Sequence, residues 1–205
     1  MKQEIDSQTT PRASAFSMWM TSPMPMVTLT KTLDVGRLRR YAQRHGMKFN
    51  MLLCWCIIDT ASRMKEFYLL PEKGKLYRYD SLAVNVIVEN CNGGINSCDI
   101  PFAGDLGLFD KDYRRMTEKV SRDCESSFLE GSMIVGTSAM VQTELDSVTN
   151  QYTELFVNPM VMWGKYRRHR FKTTLPISFQ FHHVQMDGGQ AARFLEGLQK
   201  TINNL

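Results

Sequence analysis

The stretch from residue 175 to residue 195 constrains this chain more than any other. Residues 175–181 form an apolar, alternating run that closes on His182 and His183. Asp187 follows His183 by four positions, and Gly188 and Gly189 come next. Ala191-Ala192-Arg193-Phe194-Leu195 then begins a helical pattern. A short apolar run, turn residues and a helical period, in that order, read as strand, tight turn, helix. The turn places a histidine at a strand end, where its side chain faces a cleft.

Histidine suits a general base, because its unperturbed pKa lies near neutral pH and an oriented imidazole can take a proton from an attacking hydroxyl. The same residues have a structural reading. Asp187 with Gln190 three positions on has the form of a capping box at a helix start, and either histidine can be a satisfied core residue.

Elsewhere strands and helices alternate. Residues 27–33 interleave threonine with apolar residues as a strand does. Asp34 is placed to cap a helix reaching His45, with Leu38 and Tyr41 inward, and residues 49–65 read as a second, very apolar helix. Residues 71–75 read as a turn between two short strands, 82–89 as a buried strand, and Asn92-Gly93-Gly94 as a hairpin turn. A long amphipathic helix is expected over 109–128 and a strand over 133–141. No Walker or dinucleotide fingerprint occurs.

At 205 residues the chain fits one domain with a sizeable core, or at most two small ones. Its net charge of +4 argues against a dedicated nucleic-acid binder, although a basic patch can still attract a phosphorylated ligand. No apolar span suits a membrane helix and no signal sequence is visible. The five cysteines (Cys54, Cys56, Cys91, Cys98, Cys124) contain no Cys-x-x-Cys pair, so neither a disulfide framework nor a zinc site is suggested. A reducing cytoplasm is the simplest home, and no metal is expected.

The string His182-His183-Val184-Gln185-Met186-Asp187-Gly188, flanked by an apolar strand and a helix bearing Arg193 and Leu195, resembles the active-site motif of chloramphenicol acetyltransferases. The wider class of CoA-dependent acyltransferases, dihydrolipoamide acyltransferase cores included, carries a shorter His-x-x-x-Asp-Gly form. The likeness extends to Arg12, four residues before Phe16, and to Gly164-Lys165-Tyr166, which stands at an ungapped distance from His182. Between these the chain is similar to the family in element order.

The resemblance implies an α/β fold: a two-layer sandwich with a mixed β-sheet and helices packed on one side, over residues 1–205 as one CoA-dependent acyltransferase domain. It implies an acetyl-CoA-dependent O-acetyltransferase, with His183 as base toward a small hydroxylated acceptor and antibiotic resistance as a biological role. Arg12 is expected to pair with Asp187, since a planar guanidinium can hold a carboxylate in two parallel hydrogen bonds. Met18 and Trp19 fall at acceptor-pocket offsets, Lys48 and Lys165 at positions near the CoA phosphates, and Tyr166 near the adenine. The family forms trimers with the active site at the subunit interface, so His183 is expected to reach across to a neighbour, with no nucleic acid or membrane involved.

Two departures stand out. The family's oxyanion serine and its Pro-Trp pair correspond to Gly136 and Ala139-Met140, so Thr137 or Ser138, with Ser138 preferred, is expected to supply the hydroxyl. The threonine that holds a transition-state water is replaced by Met162. These changes leave a second reading open, a non-catalytic relative that keeps the fold and a CoA-sized groove for binding or assembly. They also leave the acceptor open between chloramphenicol and another alcohol, an amine or a thiol.

Overall fold

In the computed structural model, which describes residues 1–205, the chain begins β1 (Lys2–Ile5), α1 (Ala13–Trp19), β2 (Met26–Asp34), α2 (Gly36–Arg44), α3 (Phe49–Ser62), β3 (Leu69–Glu72), β4 (Lys75–Tyr79) and β5 (Leu82–Glu89). It continues β6 (Ile95–Pro101), α4 (Leu106–Asp123), β7 (Met133–Met140), β8 (Met160–Gly164), β9 (Arg167–Arg168), β10 (Thr173–His182) and α5 (Gly188–Asn203). The main sheet runs β2-β10-β8-β7-β5-β6, with β9 paired to the start of β10. It is mixed: β5–β7 and β7–β8 are parallel, and the other pairs are antiparallel. A small antiparallel sheet, β1-β4-β3, stands beside it.

Because successive side chains on a strand point to opposite faces, each strand divides its residues between two environments. One face carries Leu33, Val84, Val86, Val135, Val161, Trp163, Ile177, Phe179 and Phe181, all buried in one hydrophobic cluster with the helices. Phe179 lies 4.6 Å from Phe194 and 5.9 Å from Phe67, centroid to centroid, so strand, α5 and the short turn after α3 meet in an aromatic knot. Burying each such side chain is worth about 1.5–3 kcal/mol. α3 is apolar all round, with Met51, Leu52, Leu53, Cys54, Cys56, Ile57 and Ile58 buried. That is what a helix needs when it packs on β5 and β7 while α2, α4 and α5 close over it.

The other face is polar. Across β2 and β10, Thr30 pairs with Ser178 and Thr28 with Gln180, and their side chains hydrogen-bond at 3.1 and 3.2 Å. No helix covers this face. Residues 141–159 cross it in irregular backbone, joining parallel strands β7 and β8. The Ser178 hydroxyl accepts from the Val148 N–H at 2.8 Å and Gln180 donates to the Asn150 carbonyl at 3.0 Å, so buried polar groups of the sheet anchor the segment.

The strand over 82–89 stands as expected, and β2, β7, β10, α2 and α3 lie within a few residues of their expected bounds. α4 ends earlier than the charge pattern suggests, at Asp123. Cys124 takes a left-handed conformation (φ 56°) that closes the helix, and the chain then turns along β6, where the Ser127 N–H donates to Ser97 and its carbonyl accepts from Asp99, both at 2.9 Å. α5 begins at Gly188 rather than Ala191, and neither Gly188 nor Gly189 has a positive φ. β1 and α1 were not foreseen: Lys2–Ile5 is a polar edge strand without a hydrophobic alternation to betray it. No helix is long and apolar enough to cross a membrane.

Candidate active site

β10 delivers His182 and His183 to the end of the sheet, where the chain turns into α5. Arg12, the residue before α1, holds that turn from the other side. Its Nη1 and Nη2 donate to the two carboxylate oxygens of Asp187 at 2.5 and 2.8 Å. Nη2 also donates to the His183 carbonyl at 2.6 Å and Nε to the Val184 carbonyl at 2.9 Å. One buried guanidinium, 7% exposed, thus fixes three consecutive features of the turn. Hydrogen bonding from Arg12 holds the Asp187 carboxyl below its ordinary value, against the opposing effect of burial. Asp187 also begins α5, where its N–H donates to Gln190 Oε1 at 2.6 Å. The cap and the arginine partner are one residue in two roles.

The two histidines have opposite environments. His182 is 1% exposed; burial, and then repulsion from His183, lower its pKa to about 4. Its Nδ1 accepts from the Val184 N–H at 3.1 Å, so the ring is neutral and serves as a brace. His183 is half-buried, and its N–H donates to the Pro25 carbonyl at 2.8 Å. Its Nδ1 is sealed from solvent and lies 3.3 Å from Asp187 Oδ1, close enough for electrostatic attraction but off the line of a good hydrogen bond. With Nδ1 turned inward, Nε2 is the nitrogen left for chemistry. Trp19, the last residue of α1, stacks on this imidazole with centroids 4.6 Å apart and planes 9° apart. Met18, its neighbour, is 66% exposed.

Lys48, Lys165 and Tyr166, widely separated in sequence, line one cavity of about 480 Å³ together with Phe49, Asn50 and Tyr113. Phe49 packs against Tyr166 with ring centroids 5.0 Å apart, and the β8 indole of Trp163 donates to Asn50 at 3.3 Å. Both lysines are exposed. Of the basic run after Tyr166, Arg167 is tied to Glu144 and Asp146, and Arg168 donates to the Tyr166 hydroxyl at 3.1 Å. Phe49, Asn50 and Tyr113 carry no motif, and only their position beside Lys48 and on the facing helix would have marked them.

Thr137 and Ser138 sit side by side on β7 with different fates. The Thr137 hydroxyl donates to the Asn85 carbonyl at 2.7 Å, which commits its single proton. Ser138 makes no such bond and lines a cavity of about 440 Å³ with Asn85, Phe128, Asn150, Phe156 and Met160. Gly136, on the same strand, leaves room for the Met160 thioether: a Cβ there would stand 2.2 Å from Met160 Sδ. Met162 is 3% exposed.

The sequence profile of the chloramphenicol acetyltransferase family matches residues 2–199. The chain belongs to that family. Chloramphenicol acetyltransferase 2 of Escherichia coli is 23% identical over 206 residues, covering 98% of this chain and 97% of the relative. Chloramphenicol acetyltransferase 3 of Escherichia coli is 26% identical over 187 residues, covering 86% and 85%. Among solved structures, a chloramphenicol acetyltransferase superposes with a TM-score of 0.83 at 20% identity, covering 98% of this chain and 100% of the other. The Azotobacter vinelandii dihydrolipoamide acetyltransferase superposes with a TM-score of 0.71 at 18% identity, covering 93% and 86%. The fold is that of the CoA-dependent acyltransferases, and family membership makes this chain an acyltransferase.

Proposed function

We propose that this protein transfers an acetyl group from acetyl-CoA to a hydroxyl of a small molecule, with His183 as general base. The observation that carries the reading is the Arg12 clamp, which holds the turn so that His183 Nδ1 faces Asp187 and Nε2 faces outward. Nε2 takes the acceptor's hydroxyl proton as the oxygen attacks the thioester carbonyl. The C–O bond forms, the carbonyl electrons move onto oxygen, and the Ser138 hydroxyl donates to that oxyanion. Collapse breaks the C–S bond, and the departing thiolate takes the proton from His183. Lys48, Lys165 and Tyr166 hold the phosphates and adenine of CoA in their shared cavity.

His183 and Ser138 do not meet within one chain. Register aligns Ser138 with Met162 and Met162 with Ser178, five residues before His183 and two strands away. Strand geometry then separates the two by roughly 15–20 Å. A site that uses both therefore joins two chains, which supports a homotrimer with active sites at the subunit interfaces. Exposed Ile87, Phe128 and Phe156 around the Ser138 cavity supply an apolar rim for that contact.

The test is CoA-thiol release over an acceptor panel that includes chloramphenicol. Wild type releases thiol with at least one acceptor, and His183→Ala lowers turnover by about 10²–10⁴ while CoA still raises Tm. Wild-type turnover in that variant would overturn the assignment. The second reading, a CoA-binding relative without catalysis, rests on Gly136 and Met162 standing at the family's oxyanion positions. It predicts CoA stabilisation with no thiol release from any alcohol.

A further inference from the structure

Two of the five cysteines lie in contact at the far end of the sheet from His183. Cys91 sits in the β5–β6 turn and Cys124 at the left-handed end of α4, and their sulfurs are 3.3 Å apart. The approach is fixed by the backbone. The Cys91 N–H donates to the Ser121 carbonyl at 2.9 Å, and the Ser121 hydroxyl donates back to the Glu89 carbonyl at 2.8 Å. The Cys124 N–H donates to Val120 at 3.1 Å, and its carbonyl accepts from Asn96 Nδ2 at 3.2 Å. Both ends are therefore held whatever the thiols do. A disulfide needs the sulfurs about 1.3 Å closer, which small side-chain rotations supply.

The other three thiols differ in kind. Cys54, Cys56 and Cys98 are buried in the core, and burial pushes Cys54 up to about 12 and Cys98 up to about 11. Burial denies them a co-reactant, whereas the Cys91 thiol, its pKa raised by the hydrogen bond with Cys124, stands in solvent. Cys91 is exposed and Cys124 half-buried, and a bond between them would close a loop that contains β6 and α4.

We propose that Cys91 and Cys124 form a reversible intramolecular disulfide, a redox modification site whose co-reactant is a small disulfide such as oxidised glutathione. One cysteine thiolate attacks a sulfur of the small disulfide and expels one thiolate. The partner cysteine thiolate then attacks the mixed disulfide and expels the other. The cysteine pair loses two electrons, the small disulfide gains them, and the two cysteine protons end on the released thiolates. The link joins the end of α4 to the β5–β6 turn, four residues before Phe128 in the wall of the Ser138 cavity.

The full chain is incubated with oxidised glutathione, denatured, alkylated and mapped by mass spectrometry. Labelled thiols fall from five to three, one peptide pair joins Cys91 to Cys124 within a single chain, and dithiothreitol reverses it. The oxidised protein melts roughly 5–10 °C above the reduced one, because the loop constrains the unfolded chain. Cys91→Ser and Cys124→Ser each take up one glutathione instead, and the double variant takes up none. The proposal fails if the wild type keeps five labelled thiols, carries separate glutathiones on both cysteines, or links between chains.

Discussion

The corner around His183 and the cavity around Ser138 belong to the same proposed reaction, yet they are built on different physical terms. At the corner, the backbone of the turn is held from inside the chain: one guanidinium makes four bonds, His182 braces the turn and Trp19 lies flat on the imidazole, while His183 Nδ1 and Gln185 Oε1 are left without hydrogen bonds. At the cavity, the Ser138 hydroxyl is unpaired, its neighbour Thr137 is committed elsewhere, and Met160 fills the space that Gly136 leaves. Proton transfer needs an imidazole held to a fraction of an ångström, and charged hydrogen bonds within one chain supply that. Oxyanion stabilisation needs a donor aimed in advance at charge that appears during the reaction, and the Ser138 hydroxyl, with no acceptor in its own chain, keeps its proton available for that role in the proposed reaction.

The contrast has measurable consequences, and after the loss of His183 itself the cavity carries the largest. Ser138→Ala is expected to lower kcat on the order of 10²–10³ without changing Tm, whereas Thr137→Ala changes kcat by only about two- to threefold. Equal losses in both would move the oxyanion role off Ser138. Arg12→Ala strikes the corner instead. It should reduce kcat about 10- to 100-fold and lower Tm by roughly 4–10 °C, because the His183 and Val184 carbonyls lose charged donors. Arg12→Lys keeps the charge but not the fork and should recover only part of each; full recovery would reduce the clamp to simple charge neutralisation.

A pH experiment separates the two histidines. His182 has a folded pKa near 4, below the ordinary 6.5, so the unfolded chain binds one more proton between these values. Stability must fall as the pH drops from about 6.5 to about 4, by about 3 kcal/mol in all, and His182→Asn should flatten that slope. Denaturant titrations at several pH values measure it. Asp187 acts lower: its carboxyl is depressed, so its contribution is intact above its ordinary 3.8 and is lost as pH falls below that. A milder effect than the loss of Arg12 belongs to Trp19→Leu, expected to lower kcat two- to tenfold (about 0.5–1.5 kcal/mol for the lost stack), with Trp19→Phe close to wild type.

Much of the corner was readable in sequence because its chemistry is concentrated in short strings at fixed spacings. His183, Asp187 and Arg12 fall where the motif and the Arg-x-x-x-Phe spacing put them, and Lys48, Lys165 and Tyr166 do line one cavity. The strand over 82–89 was visible because apolar, largely β-branched residues dominate it, although Ile87 and Glu89 toward its end are exposed. What stayed hidden depends on tertiary contact alone. β1 is polar because it adds an edge to a small sheet, and α1 is a short helix that starts at the clamp itself. No spacing rule connects Cys91 with Cys124, which meet only because the end of α4 folds back on the β5–β6 turn. Gly188 and Gly189 read as turn residues but lie in ordinary helix, and a Cβ at either would meet nothing within 4 Å. The start of α5, beside the His183 turn, therefore borders open space.

Residues 141–159 have a consequence for how this protein changes over time. The segment connects parallel strands without a helix, rests on the polar face of the sheet and supplies Asn150, Gln151, Thr153 and Phe156 to the Ser138 cavity. The hydrophobic cluster lies on the opposite face and takes only Val157 and Tyr152 from the segment. Insertions, deletions and substitutions there can therefore remodel the wall of the Ser138 cavity while the hydrophobic cluster and the His183 corner stay intact. If the proposed reaction runs at that cavity, a library of changes between Val141 and Phe156 alters which acceptors it takes while leaving the fold intact.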